Sequence, residues 1–206
     1  MSIDDDRQKR IERMQRIRAK VVEWAAQHQA DTLEAAVRCW LGGRTPSKDK
    51  VKEAFLFALI APPKNEPSIL ERFRQQADTL SRFEREMFEI WANVQFSVFE
   101  ITDVNEGVSI EMQDRISGTS HKIREKTASK TIQVGDWLAA FIKEVNGQPE
   151  LEGTVAPLHG DARQAAMDAL HQARTQLGLD ETTSTPELTR QCAQPVIAAI
   201  RQAEQT

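Results

Sequence analysis

The sequence predicts an α+β fold with an N-terminal helical layer, a small five-stranded SH3-like or OB-like β-barrel, and C-terminal helices. Three observations predict it. The hydrophobic period changes from about 3.6 to 2 at Gln95. Short alternating segments separated by tight-turn residues then run to Leu158, and the helical period returns after Gly160. These switches divide the chain into 1–94, 95–158 and 159–206, expected to pack as one unit.

The first helix is expected from Ile11, Met14, Ile17, Val21 and Ala25, which form one apolar stripe. Asp31 and Glu34 have capping-box spacing before the face Leu33, Ala36, Val37, Trp40 and Leu41, which ends at Gly42-Gly43. Val51, Ala54, Phe55, Ala58 and Leu59 continue the helical pattern until Pro62-Pro63, and "PPKNEP" reads as a loop. Ser68 is placed to cap a helix carrying Leu70, Phe73, Ala77 and Leu80. Ser81 and Glu84 are placed to cap the next, with Phe83, Met87, Ile90, Trp91 and Val94.

Strands are expected at Phe96–Val104, Val108–Asp114, Thr119–Lys126, Trp137–Val145 and Pro149–Leu158. Asn105–Gly107, Ser117-Gly118 and Asn146-Gly147 supply turns, and Val134–Asp136 forms a corner. Five short strands cannot make a large open sheet with both faces covered, so closure into a barrel hides their edges. Asp161 is placed to cap a helix with Ala165, Leu170, Ala173 and Leu177 that stops at Gly178. Thr185 then caps a last helix with Pro186 at its first position, bent at Pro195.

"SVFEI" (Ser97–Ile101), Asp114, Gly118, "TASKTIQVGDWLAA" (Thr127–Ala140) and "VNGQPELEGTVAPL" (Val145–Leu158) resemble the β-rich middle of a bacterial family. Its members are uncharacterised proteins that often end in a SEC-C zinc motif. "FLFAL" (Phe55–Leu59), "ILERF" (Ile69–Phe73) and "LSRFEREMFEIW" (Leu80–Trp91) are similar to that family's helical lead-in, so the resemblance covers about residues 51–158. It implies a fold and a bacterial, cytoplasmic setting, and no activity. The Cys-x-Cys pair of the zinc motif is missing, since the C-terminal helices contribute only Cys192, and no metal is expected.

Composition narrows the chemistry. The 206 residues are 40% hydrophobic, carry a formal charge of -4, and contain no apolar run of membrane-spanning length. "MSIDDDRQKR" lacks the apolar centre of a secretory signal, which implies a cytoplasmic protein. Cys39 and Cys192 lie far apart in apolar-patterned stretches and read as buried thiols.

No catalytic constellation is expected. His159, Asp161 and His171 are too far apart along a helix to share an ion, and His28 and His121 read as solvated surface residues. Ser129 lies in "TASK", which is not Ser-x-x-Lys, and Glu100, Asp103, Glu106 and Glu111 read as an exposed strand face. No cofactor is expected.

Trp24, Trp40 and Trp91 fall at helical spacing and read as core. Trp137 is instead a candidate stacking platform beside a basic group of Arg115, Lys122, Arg124, Lys126 and Lys130. Those six residues are the candidate binding site. Phe96–Leu158 nevertheless carries ten acids against six bases, which favours a solvated charged face. At the N-terminus, seven bases from Arg7 to Lys20 outnumber Asp4, Asp5, Asp6 and Glu12. That helix could meet a protein, nucleic acid or an anionic membrane, and packing on the rest of the chain with the basic side exposed is favoured.

The expected function is a non-enzymatic protein-binding or adaptor module with a protein partner and no membrane partner. The alternative is binding of RNA or single-stranded DNA through the basic strand, and a dispersed active site between barrel and helices is the third reading.

Overall fold

The computed structural model describes residues 3–42, 48–61, 66–179 and 186–204. Five helices come first: α1 (Ile3–His28), α2 (Ala30–Leu41), α3 (Lys48–Ile60), α4 (Ile69–Arg74) and α5 (Arg82–Ala92). The strands are β1 (Gln95–Asn105), β2 (Ser109–Asp114), β3 (Ser120–Ile123), β4 (Trp137–Val145) and β5 (Gln148–Leu158). Helices α6 (Asp161–Leu177) and α7 (Pro186–Ala203) follow, so the fold is α+β.

Local chemistry explains most boundaries. Ser68 and Ser81 both make full capping boxes, with Glu71 and Glu84 respectively. The helix that starts at Ser68 is shorter than its apolar spacing predicts. It stops at Arg74, and a single 3-10 turn at Ala77–Thr79 follows, because Leu80 must be extended to lead into the Ser81 cap. Asp31 and Asp161 do not cap their helices. The N-cap positions are Gln29 and Gly160, and each aspartate lies in the first helical turn, where it faces the positive end of the helix dipole.

Gly42 ends α2 in the left-handed region, at φ 58°. A Cβ there would also meet Arg201 Cβ at 3.2 Å, because Arg201 of α7 donates to the Trp40 carbonyl and lies over the Trp40 ring. Helix α7 passes through Pro195 and continues to Ala203. The lost amide bond is offset by burial of Cys192, Ala193, Val196, Ile197 and Ile200. Gly43, Pro62, Pro63 and Thr185, which the sequence assigns to a helix end, a loop and a cap, lie outside the described residues.

All strand pairs are antiparallel, in the order β3-β2-β1-β4-β5. The sheet is curled into a half-barrel. Its edges β3 and β5 approach within 8 Å at some Cα atoms yet share no ladder. Strand alternation gives each face its own core. Phe99, Ile101, Ile110, Met112, Ile123, Leu138, Ala140 and Ile142 fill the inside of the curl. On the convex face Phe96, Val98, Ala139, Phe141, Ala156 and Leu158 join side chains from α1 to α7 in one larger cluster. Residues from the N-terminal helices, the sheet and the C-terminal helices therefore share a single interior.

Two polar knots hold the curl. The Asp114 carboxylate accepts from Ser97 Oγ at 2.6 Å and from the backbone amides of Ile116 and Ser117, while Gly118 N–H donates to the Asp114 carbonyl. At the Val134–Asp136 corner, Gly135 N–H donates to Ile101 O and Ile101 N–H donates to Asp136 O, each at 2.8 Å, beside a bulge in β1. Asp114, Gly118 and the Gly-Asp corner are thus structural residues.

A buried charge ties α1 to the sheet. Glu152 of β5 is 1% exposed in its side chain and forms ion pairs with Lys143 of β4, 11% exposed, and Arg18 of α1, 28% exposed. Two residues away Glu150 pairs with Arg10 at 2.7 Å, so two arginines of α1 engage two glutamates of one strand. Met14, Ile17, Val21 and Ala25 bury the intervening stripe.

Removing the carboxylate would leave the nearly buried Lys143 ammonium uncompensated. Glu152→Ala is expected to destabilise the fold by about 3 kcal/mol. Urea unfolding of the variant against the parent measures this, and a change below about 1 kcal/mol would contradict the pinning role.

Candidate functional site

Of the six residues of the sequence-derived site, the structure sets Arg115 over the Trp137 ring and places Lys122 on β3, across the sheet from that ring. Lys122 lies on β3 opposite Glu111 and pairs with it at 2.7 Å, which raises the lysine pKa. Arg115 follows β2 and pairs with Glu100 at 3.3 Å. Arg124, Lys126 and Lys130 are exposed and off the strand, because β3 ends at Ile123 and not at Lys126. There the Glu125 carboxylate accepts from the amides of Thr127 and Ala128, turning the chain into a 3-10 turn at Ala128–Lys130.

Trp137 lies on β4, three strand steps from Lys122 and so roughly 14 Å away across the sheet. Its ring is approached by the guanidinium groups of Arg115 and Arg163, at 5.2 and 5.8 Å. A base stacking on this indole would have to displace a guanidinium.

The remaining polar candidates have structural partners or stand apart. Ser129 is buried, and its hydroxyl accepts from Gly107 N–H across the end of the sheet. His159, Asp161 and His171 are all exposed, and among the described residues no group of three or more His, Cys, Asp or Glu could hold a metal ion. His28 is exposed but stacks on Trp24. His121 is not a solvated surface residue: it is half-buried, meets Phe99 edge-on, and burial pushes its pKa down. It lines a polar depression between β3 and β5 with Lys122, Lys143 and Gln148. Cys192 is buried, which raises its thiol to about 12, whereas Cys39 is only partly buried.

A different surface gathers apolar and cationic groups. Two adjoining depressions of about 130 and 440 Å³ lie between α1, α5 and the end of the β4–β5 hairpin, sharing Arg10, Met87, Ile90 and Val145. The hairpin end reaches the groove through a two-residue turn, with Asn146 at φ 53° and Gly147 at φ 72°. Ile11 of α1 and Phe83 of α5, each 42% exposed, stand on its two walls.

Both walls are braced. Arg13 lies over the Phe83 ring at 4.3 Å, and Lys20 donates to Glu84 at 2.8 Å, so α1 holds α5 at two successive positions. Sequence periodicity assigns Phe83 to the buried stripe of its helix. It escapes burial because it sits in the first turn of α5, beyond the reach of the core formed by Met87, Phe88 and Trp91. The readable signal for this groove was the basic stripe of α1, whose positions 9, 13, 16 and 20 recur every three or four residues.

No family model, no curated protein and no solved structure matches the chain. Among the described residues no helix is long and apolar enough to cross a membrane.

Glu84 makes the α1–α5 contact pH-sensitive. The hydrogen bond from Lys20, then those from the Ser81 amide and hydroxyl, hold its carboxyl down at about 2 against an ordinary 4.5. The folded value lies below the unfolded one, so this stabilisation is complete above about pH 4.5 and is lost as pH falls through about 2. Thermal unfolding should show Glu84→Gln less stable than the parent at about pH 6, with the gap closing towards pH 2. A gap independent of pH would contradict this assignment.

Proposed function

We propose that the protein is a non-enzymatic protein-binding module, of adaptor type, whose docking surface is the groove between α1, α5 and the β4–β5 hairpin. One observation carries this reading. Ile11 in the first depression and Phe83 in the second remain substantially exposed, and the two depressions adjoin over a shared apolar floor of Met87, Ile90 and Val145. Exposed apolar groups concentrated in a groove rimmed by charge are characteristic of protein interfaces.

The curled five-stranded sheet is proposed to be an SH3-like or OB-like scaffold, supported by its antiparallel order, its tight turns and the close approach of β3 to β5. The resemblance to uncharacterised SEC-C-type bacterial proteins supports a bacterial, cytoplasmic setting as part of the same proposal.

Arg124, Lys126 and Lys130 favour a second reading. They are exposed at one end of the half-barrel with no carboxylate partner among the described residues, so RNA or single-stranded DNA could find cations there. The ion pairs of Lys122 and Arg115 and the covered Trp137 ring make it the weaker of the two.

Affinity capture from a lysate of the source organism, with and without nuclease, separates them. The protein-binding reading expects a defined protein that survives nuclease and is lost with Phe83→Ala. Recovery of nucleic acid alone, lost with Lys126→Ala and Lys130→Ala, would replace it with the second reading. Capture of neither would overturn both.

A further inference from the structure

We infer that the α1–α5 groove takes an acidic amphipathic helix of the partner protein, an inference that rests on the protein-binding reading above. From Lys9 to Lys20, α1 carries six bases and a single acid, Glu12. Lys9, Arg13, Arg16 and Lys20 are spaced four, three and four residues apart, so they form one line along the helix, roughly 16 Å long. That length equals about three turns of a docked helix.

The groove provides the other half of the recognition. Met14, Met87, Ile90 and Val145 form an apolar floor, which Lys9 and Arg13 of the basic line border on the α1 side. A helix with apolar anchors at i, i+3 or i+4, and i+7 would fill the floor while its flanking carboxylates meet the cations. The rim pairs Arg10–Glu150 and Lys20–Glu84 brace the walls, and Arg13 and Arg16 are assigned to the carboxylates of the ligand. Arg18 and Lys143 stay committed to the buried Glu152 and hold the site rather than the ligand.

A helix suits the groove better than other anionic partners. Helices α1 and α5 wall it with backbone that is internally hydrogen-bonded, so an added strand finds no ladder there. A phosphate backbone has no apolar face to cover Ile11 and Phe83, and Arg13 already lies over the Phe83 ring where a base would stack. A bilayer is flat on this scale and would leave the depressions unfilled.

The test is selection on the full chain from a display library of random helical peptides of about 16 residues. Enriched sequences should carry Asp or Glu on one face and Leu, Phe, Ile or Met at i, i+3 or i+4, and i+7. Their affinity should fall at least about tenfold with Arg13→Glu and Arg16→Glu together, and by a similar factor with Phe83→Ala. Circular dichroism of the variants keeps a folding defect from imitating lost binding. Basic or neutral winners, winners indifferent to both variants, or no enrichment would each overturn the inference. The protein-binding reading is decided separately by the capture experiment: a nuclease-resistant partner with no acidic helix would leave that reading standing and this one refuted.

Discussion

The carboxylate of Glu152 is the constraint around which the helical layer is arranged. A glutamate on the convex face of a sheet otherwise lined by Phe96, Val98, Phe141 and Leu158 needs cations to tolerate burial. Lys143 comes from the neighbouring strand, where it lies opposite Glu150 and reaches Glu152 diagonally. The second cation, Arg18, must come from another element, and this fixes α1 across β5. A bulge in the β4–β5 ladder, with Gly153 at φ 68°, adjoins the buried acid and turns the strand towards α3, where Leu56 lies 3.8 Å from the place a Cβ would take.

Helix α1 is therefore held by its charges as well as by its apolar stripe, and the two have different consequences. Met14, Ile17, Val21 and Ala25 supply most of the burial, each methylene contributing about 0.8 kcal/mol. Burial alone would tolerate sliding or rotation along the sheet. The pairs Arg18–Glu152 and Arg10–Glu150 set one register, and that register brings Arg13 over Phe83 and leaves the groove open between α1 and α5.

The same distinction separates the two groups of basic residues. Along β2 and β3 each cation close to the sheet has a carboxylate opposite, as Lys122 has Glu111 and Arg115 has Glu100, so the net acidic half-barrel neutralises its own positive charge. Along α1 bases outnumber acids sixfold between Lys9 and Lys20, and three of them, Arg10, Arg18 and Lys20, pair with Glu150, Glu152 and Glu84 from other elements. The net negative charge of the chain lies in the half-barrel, whereas the bases of α1 are a local concentration within helical segments that are neutral in sum.

The sequence by itself determined the elements, because each depends on neighbours in the chain: the period change at Gln95, the capping boxes of Ser68 and Ser81, the Asn146-Gly147 turn, and the stop at Gly178. It also placed Trp40 and Trp91 in the core through helical spacing alone. Tertiary structure decided which charges meet. Glu150 and Glu152 look like the outward face of an alternating strand, and only the packing of α1, more than 130 residues earlier, makes that face an interior. Lys122 and Trp137 look close in sequence, but strand order places them on opposite sides of β1 and β2. Local pattern fixes backbone periodicity because its hydrogen bonds and caps are short-range, whereas the pairing of buried charges depends on which distant surfaces exclude water together.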